Sequence, residues 1–342
     1  MKAVIKEGPG PGLVLRDVPV PVPGAGEVLV KVKAASVCGT DVLIHDWSPW
    51  AAGRMVTPRI IGHEFAGEVI EAGPGVEDIP TGMRVSAESH YFCGKCRQCR
   101  TGSPEVCRDL KIMGVDADGS FAEYLSVPAV NLWPNPAGMP DDLASLQEPL
   151  GNAVDTVNSE DISGKDVLIT GAGPMGLMCV AVARACGASN IIVSDPNEYR
   201  LGLASMMGAD IVIDPIKQSL HDVAMSATAG NGVDVFLEIS GKAEALAAGL
   251  RLLAPAGRVS LLGIFHGPVP VDLNKDVIFK KARIYGITGR RPFSTWKTVS
   301  ELLSSGRLDL SPLITHELSL GDFEEGFHLM ESGRCGKVVF RP

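Results

Sequence analysis

The 342-residue chain has no apolar run approaching the ~20 residues of a membrane span, no low-complexity tract and no excess of basic residues. Each absence excludes a class of function. With 31 Lys and Arg against 40 Asp and Glu, the formal charge is −9, so there is no basic stripe for a phosphate backbone and nucleic acid is not an expected partner. A membrane is not expected either. The opening Met1-Lys2-Ala3-Val4-Ile5-Lys6 runs straight into a Gly/Pro turn without a charged and then apolar leader. What remains is ordinary globular composition, 45% hydrophobic and 21% charged, in a chain long enough for about two domains. Eight cysteines, four of them at metal spacing, point to a reducing cytoplasm. Cys179, Cys186 and Cys335 read as plain core or helix residues.

Cys93, Cys96, Cys99 and Cys107 form a C-x2-C-x2-C-x7-C run, four thiols within fifteen residues. Zinc accepts four thiolates in a closed tetrahedral shell, and a closed shell offers substrate no vacancy, so the segment reads as a structural zinc lobe spanning 88–110. Gly94 and the Gly102-Ser103-Pro104 turn supply the backbone freedom a metal knuckle needs. Two disulfides or unrelated buried thiols are the bland alternatives.

Residues 1–150 carry short β patterns broken by turns: Glu27 to Val32 alternates, Phe65 to Ala72 follows Gly-His-Glu, and Arg84-Val85-Ser86 precedes the lobe. From Lys165 strands alternate with helices. Six β-type runs, 166–170, 190–195, 210–214, 234–240, 257–263 and 283–288, separated by Ala/Leu/Met-rich helical stretches, predict a doubly wound α/β sheet. The expected division is a β-rich domain at 1–150, a nucleotide-binding domain at 151–288, and a return of 289–342 to the first domain, with a cleft between the lobes. Helices are expected near Thr295 to Ser304 and Phe323 to Met330, and a closing strand at Lys337 to Arg341.

Gly171-Ala172-Gly173-Pro174-Met175-Gly176 lies between the strand Val167 to Thr170 and the apolar helix Leu177 to Ala185. A lone G-x-G-x-x-G is weak, but here strand, glycines and helix stand in the order that dinucleotide binding requires. Gly171 makes the tight turn, Gly173 admits pyrophosphate to the backbone, and Gly176 lets helix lie on strand. Asp195, nineteen residues after Gly176, is placed to accept from both ribose hydroxyls and to repel a 2′-phosphate, which favours NAD over NADP. Arg200 is expected along the adenine ribose or stacked on adenine. A cation for a 2′-phosphate is its alternative role.

Cys38-Gly39-Thr40-Asp41 and Gly62-His63-Glu64 form a second constellation. A thiolate, an imidazole and a carboxylate bind zinc while leaving a position open, the composition of a catalytic site. Singly, each is more often a core residue than a ligand. Together with the four-cysteine lobe and the glycine-rich turn, these residues resemble the zinc-dependent medium-chain dehydrogenases from end to end. That resemblance implies a GroES-like catalytic domain joined to a six-stranded Rossmann domain. It also implies catalytic zinc at Cys38, His63 and Glu64, Glu148 as exchangeable ligand or proton-handling carboxylate, and Thr40 as acceptor of the substrate proton. Cofactor contacts are implied at Met175, Asp195, Arg200, Leu262, Gly263, Ile264, Ile287 and Thr288. A cytoplasmic homotetramer with two zinc ions per chain and a small alcohol as substrate completes the expectation.

Narrower marks point to the branch that oxidises L-threonine to 2-amino-3-ketobutyrate: Trp47 and Trp50, Glu88-Ser89-His90, Glu148-Pro149-Leu150-Gly151-Asn152, Gly289-Arg290 with Thr295-Trp296, and Leu310 to His316. His90 and Arg290 are the candidates for the substrate carboxylate. Two positions depart from the family. Leu43 stands where a relay histidine is usual, with His45 two residues on, and Val154 is followed by Asp155 where the family has histidine. A polyol or vicinal-diol dehydrogenase is the alternative, and a non-catalytic NAD-binding zinc protein the remote one.

Overall fold

A computed structural model describes residues 1–342. The chain forms two compact units: Met1–Pro149 with Arg291–Trp296 and Ile314–Pro342, and Leu150–Arg290 with Lys297–Leu313.

The first unit is built on a seven-stranded sheet whose centre is Glu27–Ser36. This strand pairs with Glu64–Ala72, Tyr124–Pro128 and the closing strand Lys337–Arg341, all antiparallel. The expected alternation over Glu27 to Val32 is interrupted: Val28, Leu29 and Val30 are all buried and the strand runs on to Ser36. Register shifts at Leu29/Val30 and Val32/Ala34 are the physical reason, since an irregularity in the ladder turns successive side chains off a strict two-residue repeat. Val30, Phe65, Phe121, Phe327 and Phe340 join one core cluster, so the C-terminal helix Phe323–Ser332 and last strand are part of this unit's interior. A two-stranded ladder, His90–Tyr91 on Lys111–Ile112, closes the base of the four-cysteine segment.

The second unit holds six parallel strands, β1 (Asp166–Thr170), β2 (Asn190–Ser194), β3 (Ile211–Ile213), β4 (Val233–Glu238), β5 (Leu253–Leu261) and β6 (Arg283–Gly286). Their order is β3-β2-β1-β4-β5-β6, a Rossmann arrangement that reverses direction between β1 and β4. Helix Pro174–Ala185 begins with proline in its first turn and is buried from Gly176 to Ala183, consistent with its unbroken apolar sequence. Residues 297–313, expected with the first unit, group with the second. The turn Ser311–Leu313 packs on helices Pro174–Ala185 and Glu198–Met206, and Leu310 and Leu313 are buried there.

Candidate functional site

The strand Glu27–Ser36 ends two residues before Cys38, which caps the helix Gly39–His45. Asp41 accepts from the Cys38 backbone N–H at 2.9 Å through Oδ2, and its Oδ1 lies 3.5 Å from His63 Nδ1. One buried carboxylate therefore fixes the Cys38 backbone and faces His63 Nδ1 electrostatically, and Nε2 of His63 is the ring nitrogen that would be left for a metal. His63 owes its position to a close backbone approach. Gly62 has φ 89° and a Cβ there would strike the Phe121 ring, while Cβ atoms at Gly114 or Gly119 would strike the Gly62 carbonyl.

Glu64 opens its strand directly opposite Ser36 in the ladder. Its Oε2 accepts from the Ser36 hydroxyl and from Lys337, whereas Oε1 is buried with no hydrogen-bond partner. The ligand atoms of Cys38, His63 and Glu64 all lie within 4.8 Å of one another. Glu148 is buried and accepts from the Ser89 hydroxyl. Burial works against a charged imidazole, yet Asp41 and Cys38 raise the His63 pKa well above its ordinary value. The Lys337 ammonium is likewise held charged against burial, by Glu64, Cys38 and Glu148. This pocket favours positive charge, and its thiolate, imidazole and unpartnered carboxylate oxygen fit zinc with a position to spare.

The four sulfurs of Cys93, Cys96, Cys99 and Cys107 also lie within 4.8 Å of one another, and all four cysteines are free. Backbone N–H groups of Cys93 and Asp109 donate to Cys107 Sγ at 3.3 and 3.4 Å, and that of Cys96 to Cys93 Sγ at 3.3 Å. Backbone donors from Cys99 and then Arg108 pull the Cys96 thiol down to about 6. Burial and the neighbouring thiols push the Cys99 thiol up to about 12, so the four sulfurs share one cluster, as the spacing predicts, whose thiols sit at different protonation levels.

In the second unit Gly171 has φ 92°, and a Cβ at Gly176 would strike the Gly171 carbonyl, so helix and turn touch through backbone. At Gly173 a Cβ would meet nothing within 4 Å, leaving open space above the first turn of the helix, where a pyrophosphate would approach. Asp195, 7% exposed, accepts from Ala172 N at 2.7 Å and Asn197 N at 2.8 Å, tying the glycine turn to the end of β2. Beside it a cavity of about 600 Å³ is lined by Gly171, Asp195, Pro196, Ile216, Ser240 and Lys242, at the carboxyl ends of the strands. Met175 lies in the first turn of its helix, and Arg200 in the first turn of Glu198–Met206, which Asn197 caps. Leu262, Gly263 and Ile264 follow β5, and Ile287 and Thr288 follow β6. Leu262 and Gly263 both donate to the Glu238 carbonyl at 3.0 Å, which fixes that turn to β4.

Some of the narrower marks meet within one unit. Trp296 Nε1 and the His90 backbone N–H each donate to Glu88 at 2.9 Å, one to each oxygen, so two sequence segments more than 200 residues apart form one cluster. Arg290 is buried and donates to Asn152 Oδ1 at 3.1 Å. His45 turns away from any relay role: its ring stacks on Phe327 with centroids 5.2 Å apart, and Nδ1 lies 2.8 Å from Asp46 and 3.3 Å from Glu331. Sequence reasoning passed over Asp41, although a carboxylate three residues after a cap is a local capping signal. It also missed Lys337, 273 residues from its partner Glu64, for which no local signal exists.

The alcohol dehydrogenase GroES-like domain family matches residues 24–137, and the zinc-binding dehydrogenase family matches residues 174–305. The chain is 56% identical over 341 residues to L-threonine 3-dehydrogenase of Pyrococcus horikoshii, covering 99% of this chain and 98% of that one. To the L-threonine 3-dehydrogenase of Bacillus subtilis it is 49% identical over 342 residues, covering 100% and 99%. The crystal structure of 2R,3R-butanediol dehydrogenase from Bacillus subtilis matches with a TM-score of 0.91 at 27% identity, covering 100% of this chain and 99% of that one.

Proposed function

The chain belongs to the zinc-binding, GroES-like alcohol dehydrogenase family, and we propose that it oxidises the secondary hydroxyl of L-threonine with NAD, giving 2-amino-3-ketobutyrate. The chemistry rests on one observation, the clustered Cys38, buried His63 and buried Glu64 with its unpartnered Glu64 Oε1. The substrate rests on a contrast within one bacterium: the chain is 49% identical to the Bacillus subtilis threonine enzyme but 27% identical to its butanediol enzyme.

Zinc held by those residues would supply Lewis acidity to a hydroxyl, and NAD bound at the glycine turn would accept the hydride. Thr40, in the first turn of the helix that Cys38 caps, takes the hydroxyl proton. Asp41 keeps His63 in the tautomer that leaves Nε2 free, and Ser89 orients Glu148 as the second proton-handling group. His90, held by Glu88 at its backbone, is the better candidate for the substrate carboxylate, because Arg290 is already buried against Asn152. Cys93, Cys96, Cys99 and Cys107 would hold a second, structural zinc. The enzyme is a cytoplasmic homotetramer in this reading, supported by its eight free cysteines and by Ile278, Phe279 and Ile284 exposed on or beside the edge strand β6. Sedimentation equilibrium gives its mass independently of shape.

The deciding experiment is NAD reduction by zinc-loaded protein with L-threonine, sorbitol and 2,3-butanediol. L-threonine should show the highest kcat/KM. A polyol or diol in first place overturns the substrate, and NAD binding without turnover on any of the three favours a non-catalytic protein.

Three outcomes follow for the cofactor and the proton path. Asp195→Ala should weaken NAD binding and shrink the NAD-to-NADP ratio of kcat/KM by roughly tenfold or more, because it removes a hydrogen-bonded charge and its repulsion of a 2′-phosphate. Steady-state kinetics with both cofactors measure this, and an unchanged ratio counts against Asp195 as the discriminator. Leu43→His should raise turnover near neutral pH by less than about tenfold, short of the ~10² a missing and unreplaced acid–base group costs. His45→Ala should leave the pH–rate profile unchanged, since His45 is engaged with Asp46, Glu331 and Phe327.

A further inference from the structure

Lys337 is an unusual neighbour for a metal centre. It belongs to the last strand of the chain, its side chain is 2% exposed, and it ion-pairs with a Glu64 side chain that is fully buried. A second hydrogen bond, to the Val37 carbonyl at 3.0 Å, anchors the ammonium one residue before Cys38. The sheet makes this meeting obligatory: Val339 pairs with Ser36, and Ser36 pairs with Glu64. Both donors reach the same oxygen of Glu64, since Ser36 and Lys337 bond Oε2 and Oε1 stays unpartnered.

We propose that Lys337 is a positioning residue for the catalytic metal: with Ser36 it fixes Oε2 of Glu64 so that Oε1 alone is presented as ligand, and it balances the charge of the centre. This rests on the reading of Cys38, His63 and Glu64 as metal ligands. Cys38, Glu64 and Glu148 bring three negative charges around a divalent ion, and Lys337 supplies the third positive one. A buried carboxylate stripped of its cation either takes up a proton or turns to another donor, and in both cases it becomes a poorer ligand.

The test measures zinc affinity. Wild type, Lys337→Met, Lys337→Arg, Glu64→Gln and the Lys337→Met/Glu64→Gln double variant are equilibrated with graded chelator, and zinc per chain is counted. The four-cysteine zinc is the internal standard of a folded first unit. Lys337→Met should lose one of its two zinc ions at chelator concentrations lower by about tenfold or more, consistent with breaking a buried pair. Lys337→Arg, which keeps the charge, should stay within about threefold of wild type. In the Glu64→Gln background the Lys337→Met change should cost less than about threefold, because the partner through which it acts is gone. Wild-type affinity in Lys337→Met, or an equal loss in both backgrounds, overturns the proposal while wild type still holds two zinc ions. A wild type that binds only the four-cysteine zinc overturns the underlying ligand assignment, and this proposal with it. Should Lys337→Met lose both metals, Ser36→Ala replaces it: the same oxygen loses a donor with no change of charge, weaker binding of the one zinc is expected, and unchanged binding refutes the role.

Discussion

Cys38→Ser should lower turnover of L-threonine by about 10³-fold or more while the chain keeps its fold and its four-cysteine zinc. A serine hydroxyl stays protonated near neutral pH and is a hard, neutral donor where the site is built around a thiolate, so the open-sided metal is lost. Lewis-acid activation of a hydroxyl is worth several kcal/mol, and each 1.36 kcal/mol is tenfold in rate, which sets the scale. The substitution also removes a negative charge beside His63 and Lys337, so the pocket's preference for a cation weakens with the ligand itself. Stability should change little. Cys38 is a partly exposed cap residue, and the Asp41 bond that fixes its position is made to the backbone N–H, which serine retains. Metal analysis and steady-state kinetics on the same preparation check this. One zinc per chain with turnover within tenfold of wild type would remove Cys38 from the reaction.

What could be read in advance was what the chain encodes locally. The glycine turn from Gly171 to Gly176 announces itself within six residues, and the structure gives Gly171 and Gly176 each a steric reason while leaving open space at Gly173. The central strands of the Rossmann sheet carry short buried apolar runs, Val167 to Ile169 and Ile191 to Val193, bounded by turn residues, so their places were legible and their order followed from the fold class. The edge strand β6 is largely exposed and was read from its β-branched and aromatic residues. The four-cysteine cage was legible because thiol spacing is itself the geometry. Long-range pairing was not. Lys337 meets Glu64 only because the final strand lies on Glu27–Ser36, and Trp296 meets Glu88 across 208 residues. In the same way, 297–313 joined the second unit through packing of a short turn on two helices, a contact with no periodic signature. Whether His45 could stand in for the residue absent at Leu43 was open when only the helix was considered. Its ring is claimed by Phe327 and Glu331 of the C-terminal helix, which no reading of residues 38–46 alone would reveal.

Cys99→Ser should have the opposite consequence to Cys38→Ser, a loss of stability larger than any change in chemistry. The closed cage has no position for substrate, so a zinc held there would contribute folding energy, and structural zinc is worth on the order of 10 kcal/mol in small domains. The segment has few other supports. Its base is a ladder of two residues per strand, and helix Arg97–Arg100 within it buries no residue. Three remaining thiolates still hold zinc weakly, so the expected loss is a fraction of that total, roughly 3–5 kcal/mol and about 10 °C in thermal midpoint for domains of this size. Some kinetic effect should accompany it. The ladder begins at His90, next to the Ser89 hydroxyl that orients Glu148, so loosening the lobe should raise KM a few-fold while kcat per folded chain is largely kept. Calorimetry with zinc counting measures the first effect, and kinetics below the lowered midpoint measures the second. Turnover abolished in a chain that melts like wild type would mean that the cage takes part in the chemistry, and the division between a structural and a catalytic zinc would have to be abandoned.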